Sequence, residues 1–345
     1  MDGNRAATVA GFVGALAVLA VLVWVVGVDR TVSALLSADP AVLALVGGVA
    51  VFWLTTWGLA LWSVLRVLGS PIRAHMAVLA YAGAIFSNNV TPFGQAGGEP
   101  FSALLISSVA DTEYETGLAA IASVDTVHFV PSVGFAIAGF TFVTAGAAQL
   151  GRNLAFAAVA VAALAVGLPV AGFLGWRYRY ELEETVIRLL TPGIRWLGRT
   201  VPKWSPPTAT SIRNRIESFF AAIDRIASDR RTLLQTLGFS GLGWAALACS
   251  LWLSLYAVGY VVPISVALLV VPVGSIASLA PLPGGSGAIE AVLVTLLVST
   301  TAVPAAVAAS AVLIHRGATY LFPLLLGAGV ASALGADHAA ANARE

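Results

Sequence analysis

The sequence is poor in charged residues and in cysteine, which argues against an ordinary soluble domain and against disulfide bonds within the chain. Only 10% of its 345 residues are charged and 59% are hydrophobic, whereas a soluble domain carries about 25% charged residues. Cys249 is the only cysteine, which excludes an intrachain disulfide. The four histidines show no metal-ligand spacing. No metal, cofactor or nucleic-acid partner is therefore predicted.

Long apolar runs fill most of the chain. They lie near residues 6–28, 41–67, 76–92, 101–110, 116–147, 153–176, 236–259, 264–280, 288–300 and 305–334. Several exceed the roughly 20 residues that cross about 30 Å of hydrocarbon. The first run is longer than the roughly 7–15-residue core of a cleaved signal peptide, so we expect a retained helix. The sequence predicts an all-α polytopic membrane protein.

Two glycine-rich clusters interrupt this pattern. They are "TPFGQAGGEP", residues 91–100, and "PLPGGSGAIE", residues 281–290. The apolar runs on either side of each cluster are mostly too short to span alone, which predicts a hairpin at each cluster. Irregular backbone at membrane depth requires cover from protein or a water-filled cavity. Both clusters read Pro, Gly-Gly and Glu, which suggests an inverted pseudo-repeat.

Basic residues predict the orientation. The polar stretch 177–234 holds eleven basic and six acidic residues, and the positive-inside rule places it in the cytoplasm. Arg66, Arg73 and Arg5 place their segments on the same side. Counting crossings then gives about six full transmembrane helices plus two re-entrant or broken-helix hairpins that enter from opposite faces. Both termini are predicted to be cytoplasmic, in a multi-pass protein of the cell membrane. Pairs of short, thin spans remain an alternative to the hairpins.

The chain is predicted to form one membrane domain, residues 1–345, with a cytoplasmic amphipathic loop at 177–234. Apolar residues recur there at helical spacing, with arginines between them. They are Ile212, Ile216, Phe219, Phe220, Ile223 and Ile226. We expect this helix to lie on the inner leaflet.

Ionisable residues occur at membrane depth, where charge is costly and usually functional. They are Glu99, Asp125, His128, Glu290, His315 and Arg316. Asp125 and His128 share a helix face, being three residues apart. Asp125 lies about 14 Å and Arg316 about 17 Å into their helices, which places both near the midplane. A structural ion pair between Asp125 and Arg316 is the alternative to a functional site.

The two breaks also predict an anion site. Pro100 suits the first turn of a helix and Ser286 suits an N-cap. Two helix N-termini would then point their free N–H groups toward the middle of the membrane, as in inverted-repeat transporters. Glu99 and Glu290 would be protonated, paired with Arg316, or involved in proton coupling. The predicted substrate-binding residues are Asn89, Pro92, Gly97, Gly98, Glu99, Asp125, His128, Pro283, Gly284, Gly285, Glu290 and Arg316.

The breaks and the intramembrane charges fall in four segments, which are "NNVTPFGQAGGEPFSALLI", "ASVDTVHFVP", "PLPGGSGAIE" and "IHRGATYLFPLLLGA". Together these segments resemble the flippase-like membrane domain of lysylphosphatidylglycerol synthases. Asp125 and Arg316 stand at the acidic and basic positions of the family pattern. Thr126, Phe101 and Ser102 depart from it, because basic residues are common at or near those positions. No segment resembles the soluble aminoacyl-transfer domain, so lysyl transfer is not expected.

The resemblance implies a lipid-handling protein. We expect a flippase or transporter that moves an anionic phospholipid or a polyisoprenyl-phosphate-linked sugar between leaflets, and not an enzyme. Its partners would be phosphate-bearing membrane lipids and a lipid-modifying or glycosyl-transfer enzyme. Two alternatives are an intramembrane transferase acting on a lipid phosphate, with Glu99 or Asp125 as general base, and a lipid-binding accessory subunit that does not transport.

Overall fold

A computed structural model describes residues 28–91, 95–145, 209–280 and 282–342, together with scattered positions between 158 and 181. These residues form helices and turns, with no strand among them. The predicted first helix, near 6–28, and most of the run 153–176 lie outside the described residues.

Eleven described helices follow one another along the chain. They are α1 (Val28–Leu36), α2 (Pro40–Val67), α3 (Ala74–Val90), α4 (Gln95–Ala110), α5 (Tyr114–Ala145), α6 (Ala209–Ser228), α7 (Arg230–Ala257), α8 (Ile264–Ser275), α9 (Ala288–Thr300), α10 (Ala305–Arg316) and α11 (Phe322–Asn342). Short 3₁₀ turns at Ile276–Leu279 and Pro283–Gly285 separate α8 from α9, and a π-helical turn at Gly317–Leu321 joins α10 to α11.

The prediction of an all-α polytopic membrane protein is confirmed. Five stretches of the described residues are long and apolar enough to cross a membrane: Pro40–Val67, Tyr114–Ala145, Arg230–Ala257, Pro283–Thr300 and Ala305–Val330. The fourth reaches that length only because its 3₁₀ turn is counted with α9. It is the returning arm of the second predicted hairpin.

The helices form two copies of one unit, 190 positions apart. Helix α2 begins after Asp39 and α7 begins after Asp229, and each aspartate accepts backbone N–H groups of the first helical turn. Both helices have 28 residues. The following hairpins begin at Ala74 and Ile264, which are also 190 positions apart. The first unit is therefore α2–α5, and the second is α7–α11.

The turns repeat at the same spacing. Gly69 and Gly259 end the long helices with φ angles of 87° and 84°, a conformation that glycine adopts without steric cost. The indole N–H of Trp62 donates to the backbone carbonyl ten residues later at 3.0 Å, and that of Trp252 does the same at 2.8 Å. Such matched details support the predicted inverted pseudo-repeat.

The two units are inverted because α2 and α7 pack antiparallel along their lengths. At one end, the N–H of Asp39 donates to the carbonyl of Ala257 at 2.9 Å. Toward the other end, the hydroxyls of Ser63 and Thr236 lie 2.9 Å apart. Buried leucines fill the interior of the seam, among them Leu54, Leu61, Leu65, Leu251 and Leu255. We call the end that carries Arg66, Arg73, Arg230 and Arg231 the arginine end.

The two hairpins enter from opposite ends and meet. The first hairpin, α3–α4, starts at the arginine end, and the second, α8–α9, starts at the opposite end. Helix α3 is about 25 Å long and α8 about 18 Å, so together they match the roughly 42 Å of α2. At the tips, a Cβ on Gly284 would lie 2.6 Å from Oδ1 of Asn89. The two hairpins together therefore replace one full-length helix.

The predicted amphipathic helix is present as α6. Its Ile226 is 3% exposed and packs with the bundle core, and its Arg215 forms an ion pair with Glu115 of α5 at 2.9 Å. Part of its apolar face therefore contacts protein. Its position on the inner leaflet stays a prediction.

The contact between α5 and the second hairpin allows a direct test of the packing. Gly139 of α5 lies against the backbone of α8, and a Cβ there would lie 2.8 Å from the carbonyl oxygen of Ser265. Gly134, on the same helix, is exposed and has no heavy atom near its Cβ direction. We expect Gly139→Ala to lower the stability by about 1–3 kcal/mol, measured as thermal unfolding in detergent.

Gly134→Ala is the matched control, and we expect it to be neutral or slightly stabilising because alanine favours helix. Equal melting temperatures for the two variants would contradict the close approach of α5 to α8.

Candidate functional site

A cavity of about 230 Å³ lies where the two hairpin tips meet. Helices α2, α3, α5, α7, α8, α9 and α10 and the π-helical turn contribute to its wall. Its polar or charged lining residues include Asn88, Asn89, Asp125, His128, Ser275, Ser278, His315, Arg316 and Thr319. Its aromatic lining residues are Trp53, Trp57, Tyr81, Phe129, Trp244 and Tyr320. The cavity thus combines an aromatic wall with groups of both charges.

The tip of the first hairpin is held by a close approach of backbone to side chain. Gly98, in the first turns of α4, lies so near Asn88 that a Cβ would overlap it. The hydroxyl of Ser102 donates to the carbonyl oxygens of Gly98 and Ala84, at 3.1 and 3.3 Å. Asn88 is thereby held between the two arms of the first hairpin.

The predicted start of α4 is wrong. Pro100 was expected in the first turn, but the helix begins at Gln95 and Pro100 lies inside it. Gly97 and Gly98 have no positive φ, so they continue the helix instead of breaking it. Gly98 is needed for the close approach to Asn88, and not for an unusual backbone angle.

The predicted N-cap of the second hairpin is also wrong. Gly287, with a φ angle of 85°, precedes α9, whereas Ser286 forms no cap and its buried hydroxyl has no hydrogen-bond partner. Gly284 and Gly285 have φ angles of 57° and 62°. This run of left-handed backbone requires glycine and forms the tight tip.

A carboxylate occupies the N-terminus of α9. Oε2 of Glu290 accepts the N–H of Gly287 at 2.5 Å, and its Oε1 accepts Nε of Arg316 at 2.6 Å. The same guanidinium donates from Nη2 to the carbonyl of Gly284 at 3.4 Å and lies over the ring of Tyr320 at 4.4 Å. Arg316 therefore pairs with Glu290, and the alternative pairing with Asp125 is wrong.

Asp125 and His128 lie on the cavity side of α5, and both are 5% exposed. Nδ1 of His128 lies 2.7 Å from the hydroxyl of Ser240, and its ring stacks on Trp57 at a centroid distance of 4.1 Å. Oδ2 of Asp125 and Nε2 of His128 have no hydrogen-bond partner. Because a buried polar atom without a partner is costly, these two atoms suit contact with a polar ligand or water.

The repeat relates the charged groups of the two units. Asp125 of α5 and His315 of α10 are 190 positions apart, and Arg316 follows His315. In the first unit, neither Asp125 nor Glu99 forms an ion pair with another described residue. In the second unit, Arg316 is neutralised by Glu290. The first unit thus holds two carboxyl groups without an ion-pair partner, whereas the second holds a balanced pair.

The structure brings together part of the predicted set. Five of the predicted residues line the cavity: Asn89, Asp125, His128, Gly284 and Arg316. Pro283, Gly285 and Glu290 shape the second tip behind the cavity wall, and Gly97, Gly98 and Glu99 belong to the first turns of α4. Pro92 lies outside the described residues. The role of each in substrate binding stays a prediction.

Sequence reasoning missed the aromatic wall and the two serines that hold the histidines. Ser240 contacts His128, and Ser250 contacts Nδ1 of His315 at 2.9 Å. Both serines lie on α7, which reads as an ordinary span. The internal repeat is the sequence signal that sets α7 apart from an ordinary span. Asp39, Trp62 and Gly69 recur 190 positions later as Asp229, Trp252 and Gly259.

Comparisons with known proteins agree with this architecture. The family described as "Lysylphosphatidylglycerol synthase TM region" matches residues 11–327. A UPF0104 membrane protein of Methanothermobacter thermautotrophicus is 27% identical, over 94% of this chain and 92% of its own length. Another, from Methanocaldococcus jannaschii, is 25% identical over 90% of each chain. The chain belongs to the lysylphosphatidylglycerol synthase transmembrane family, which indicates a lipid-related membrane function.

The pair between Glu290 and Arg316 predicts a strong coupling in stability. Removing one partner leaves the other charge buried, so Glu290→Gln and Arg316→Gln should each destabilise the protein by about 3 kcal/mol. The double variant should lose clearly less than the sum of the single losses. Thermal unfolding of the four proteins in detergent measures this. Additive losses would show that the two side chains do not depend on each other.

Proposed function

We propose that the protein moves a phosphate-bearing lipid between the two leaflets, with the headgroup passing through the cavity between the hairpin tips. The observation that carries the proposal is the inverted repeat with one polar cavity at the meeting point of its two hairpins. Inverted repeats with broken helices that meet near the midplane are typical of transporters that alternate access to a central site.

The packing suggests which parts move. Helices α2 and α7 form one long seam with a continuous buried core, so they suit a fixed frame. Each hairpin instead ends at a tip that contacts the other hairpin through small groups, Gly284 and Asn89. Tilting one hairpin away would open the cavity to the leaflet from which that hairpin enters. The same argument applies to the other hairpin on the opposite side.

The headgroup phosphate is proposed to bind at Arg316. Its guanidinium lines the cavity, and the Nη2 contact with the carbonyl of Gly284 is long at 3.4 Å. A phosphate could therefore take over donors of this group while Nε stays with Glu290. Asn88 and Asn89 also line the cavity. Because Glu290 occupies the N-terminus of α9, this replaces the expected site between two helix N-termini.

The rest of the headgroup is proposed to face α5. Oδ2 of Asp125 accepts hydrogen bonds, and Nε2 of His128 has no protein partner. The ring of Trp57 covers the adjacent wall. A hydroxylated or amino headgroup would satisfy both polar atoms and pack against the aromatic rings, which suits a phosphatidylglycerol-like or sugar-bearing lipid.

The two carboxyl groups of the first unit are proposed to couple transport to charge. Neither Glu99 nor Asp125 forms an ion pair with a described residue, whereas Arg316 is already paired with Glu290, so negative charge is in excess on the first unit. A proton or a cationic headgroup would compensate for this excess, so its arrival and departure would control closure. We also propose that the arginine end faces the cytoplasm and that the protein is a transporter of the cell membrane instead of an enzyme.

Reconstituted vesicles test the proposal. Acyl-labelled fluorescent phosphatidylglycerol becomes inaccessible to external dithionite when it resides in the inner leaflet, so bleaching kinetics report its movement. The wild type should move the lipid faster than protein-free vesicles. Arg316→Gln and Asp125→Asn should each lower the initial rate by about tenfold, since the loss of one charged contact to a bound group costs about 1.5–3 kcal/mol.

Arg215→Gln is the matched control, because it removes one arginine from α6 far from the cavity, and it should keep the wild-type rate. A wild type that moves no lipid would contradict transport. Equal rates in all four proteins would contradict the cavity as the pathway. Mass spectrometry of the recovered lipid separates transport, in which the mass is unchanged, from an intramembrane transfer, in which it changes.

A further inference from the structure

A second pocket lies at the arginine end, on the seam between the last turn of α2 and the first turn of α7. Its volume is about 180 Å³. Its lining residues are Ser63, Arg66, Val67, Asp229, Arg231, Thr232 and Gln235. The pocket lies where both spans end, which is the level of the lipid phosphates in a bilayer. It is separate from the cavity at the hairpin tips.

The inverted repeat provides an internal reference for this pocket. The equivalent place at the opposite end combines the first turn of α2 with the last turn of α7. There, Ala41 stands for Arg231, Val42 for Thr232 and Leu45 for Gln235. Val42 packs in an apolar cluster at that end. The same backbone arrangement is thus apolar at one end and polar at the other, so the fold does not require the polar residues.

Arg66, like Arg231, is charged where its equivalent in the other unit is not. Arg66 holds its guanidinium over the ring of Trp62 at 4.6 Å. Its equivalent, Tyr256, packs on the equivalent tryptophan, Trp252, at 6.2 Å. The stacking surface is therefore conserved between the units, and only the charged group is added at the arginine end.

Asp229 is the one lining residue that the repeat keeps, as Asp39, and its task in both units is to cap a helix. It accepts the N–H of Arg231 at 2.9 Å and both the N–H and the hydroxyl of Thr232, at 3.3 and 3.2 Å. The backbone hydrogen bond from Thr232 holds the pKa of Asp229 below its ordinary value, so it is ionised at neutral pH. The two positive charges of Arg66 and Arg231 are then opposed by one carboxylate, which already accepts hydrogen bonds from the helix.

Neither guanidinium forms a hydrogen bond or an ion pair with another residue in the described part of the chain, and both side chains are exposed. Arg231 acts on Asp229 electrostatically, but not at ion-pair distance. The pocket therefore has donors and net positive charge that the protein itself does not use.

We propose that this pocket is a phosphate-binding site, formed by Arg66 and Arg231 at the membrane surface. Two guanidinium groups on facing helices suit bidentate contact with phosphate oxygens. The phosphate belongs to a lipid headgroup or to a soluble phosphate ester, and both present the same chemistry. If the ligand is a lipid, the site would hold its headgroup before entry into the central cavity, a role that rests on the proposed function.

The positive-inside rule provides the competing explanation, because it favours arginine at this end whatever the pocket binds. Adjacent residues separate the two explanations. Arg230 and Arg231 contribute equally to the charge of this end, but only Arg231 lines the pocket. Arg230→Gln is therefore a matched control for Arg231→Gln.

The experiment is a binding titration of the purified full chain in neutral detergent, followed by native mass spectrometry. The probes are phosphatidic acid, sn-glycerol 3-phosphate and inorganic phosphate, with phosphatidylcholine as reference. Arg66→Gln and Arg231→Gln should each weaken phosphatidic acid binding by at least about threefold, as expected for exposed charge pairs. Arg230→Gln should change it less than twofold, on the order of measurement error.

The outcomes decide the proposal and its ligand. If both pocket variants weaken the binding of phosphatidic acid alone, the ligand is a lipid headgroup. If they also weaken the binding of glycerol phosphate or inorganic phosphate, the ligand is a soluble phosphate. Equal effects of Arg230→Gln and Arg231→Gln would overturn the site in favour of general surface charge, and no effect of either pocket variant would also overturn it. Arg316→Gln removes a proposed binding group of the central cavity, so its loss of phosphatidic acid binding should add to that of Arg231→Gln in the double variant if the two sites are separate.

Discussion

The need to satisfy the irregular backbone at the hairpin tips is the constraint on which the rest of the structure depends. In hydrocarbon, every backbone polar group needs a partner within the protein, and each hairpin exposes such groups where its helix breaks. The second tip satisfies them with 3₁₀ hydrogen bonds to Leu282 and Pro283 and with the side chains of Glu290 and Arg316. The ion pair between Glu290 and Arg316 therefore stabilises the irregular backbone of this tip. Its position in the cavity wall is a consequence of that role.

The inverted repeat explains why a cavity forms at this place. Two hairpins that together replace one full-length helix must meet inside the bundle, and tips built from glycine and asparagine do not fill the space as leucine would. The helices around this gap, α2, α5, α7 and α10, bring aromatic rings and the histidines to its wall. Each histidine is fixed by a serine of α7, so one helix of the frame positions side chains of both units.

Sequence reasoning reached the architecture because its signals were local. Glycine clusters between short apolar runs indicated the hairpins, and arginine counts indicated that they enter from opposite sides. Helix rise placed Asp125 and Arg316 at one depth, and both line the same cavity. Boundaries were harder: Pro100 lies inside α4 because the two glycines before it are helical. The sequence alone did not decide which carboxylate pairs with Arg316, because several lie at similar depth. Only the folded turn brings Glu290 to it.

Residues that are the same in the two units and residues that differ between them have different explanations. Where the two units agree, as in the caps at Asp39 and Asp229 and the glycines that end α2 and α7, the residue serves the backbone. Where they differ, the backbone offers no reason for the difference. The first unit holds two carboxyl groups without an ion-pair partner and the second a neutral pair. Apart from the capping aspartates, the seam is cationic at one end and apolar at the other. A perfectly symmetric carrier would treat both leaflets alike. If the proposed transport is correct, a preference for one leaflet would therefore arise from these side-chain differences.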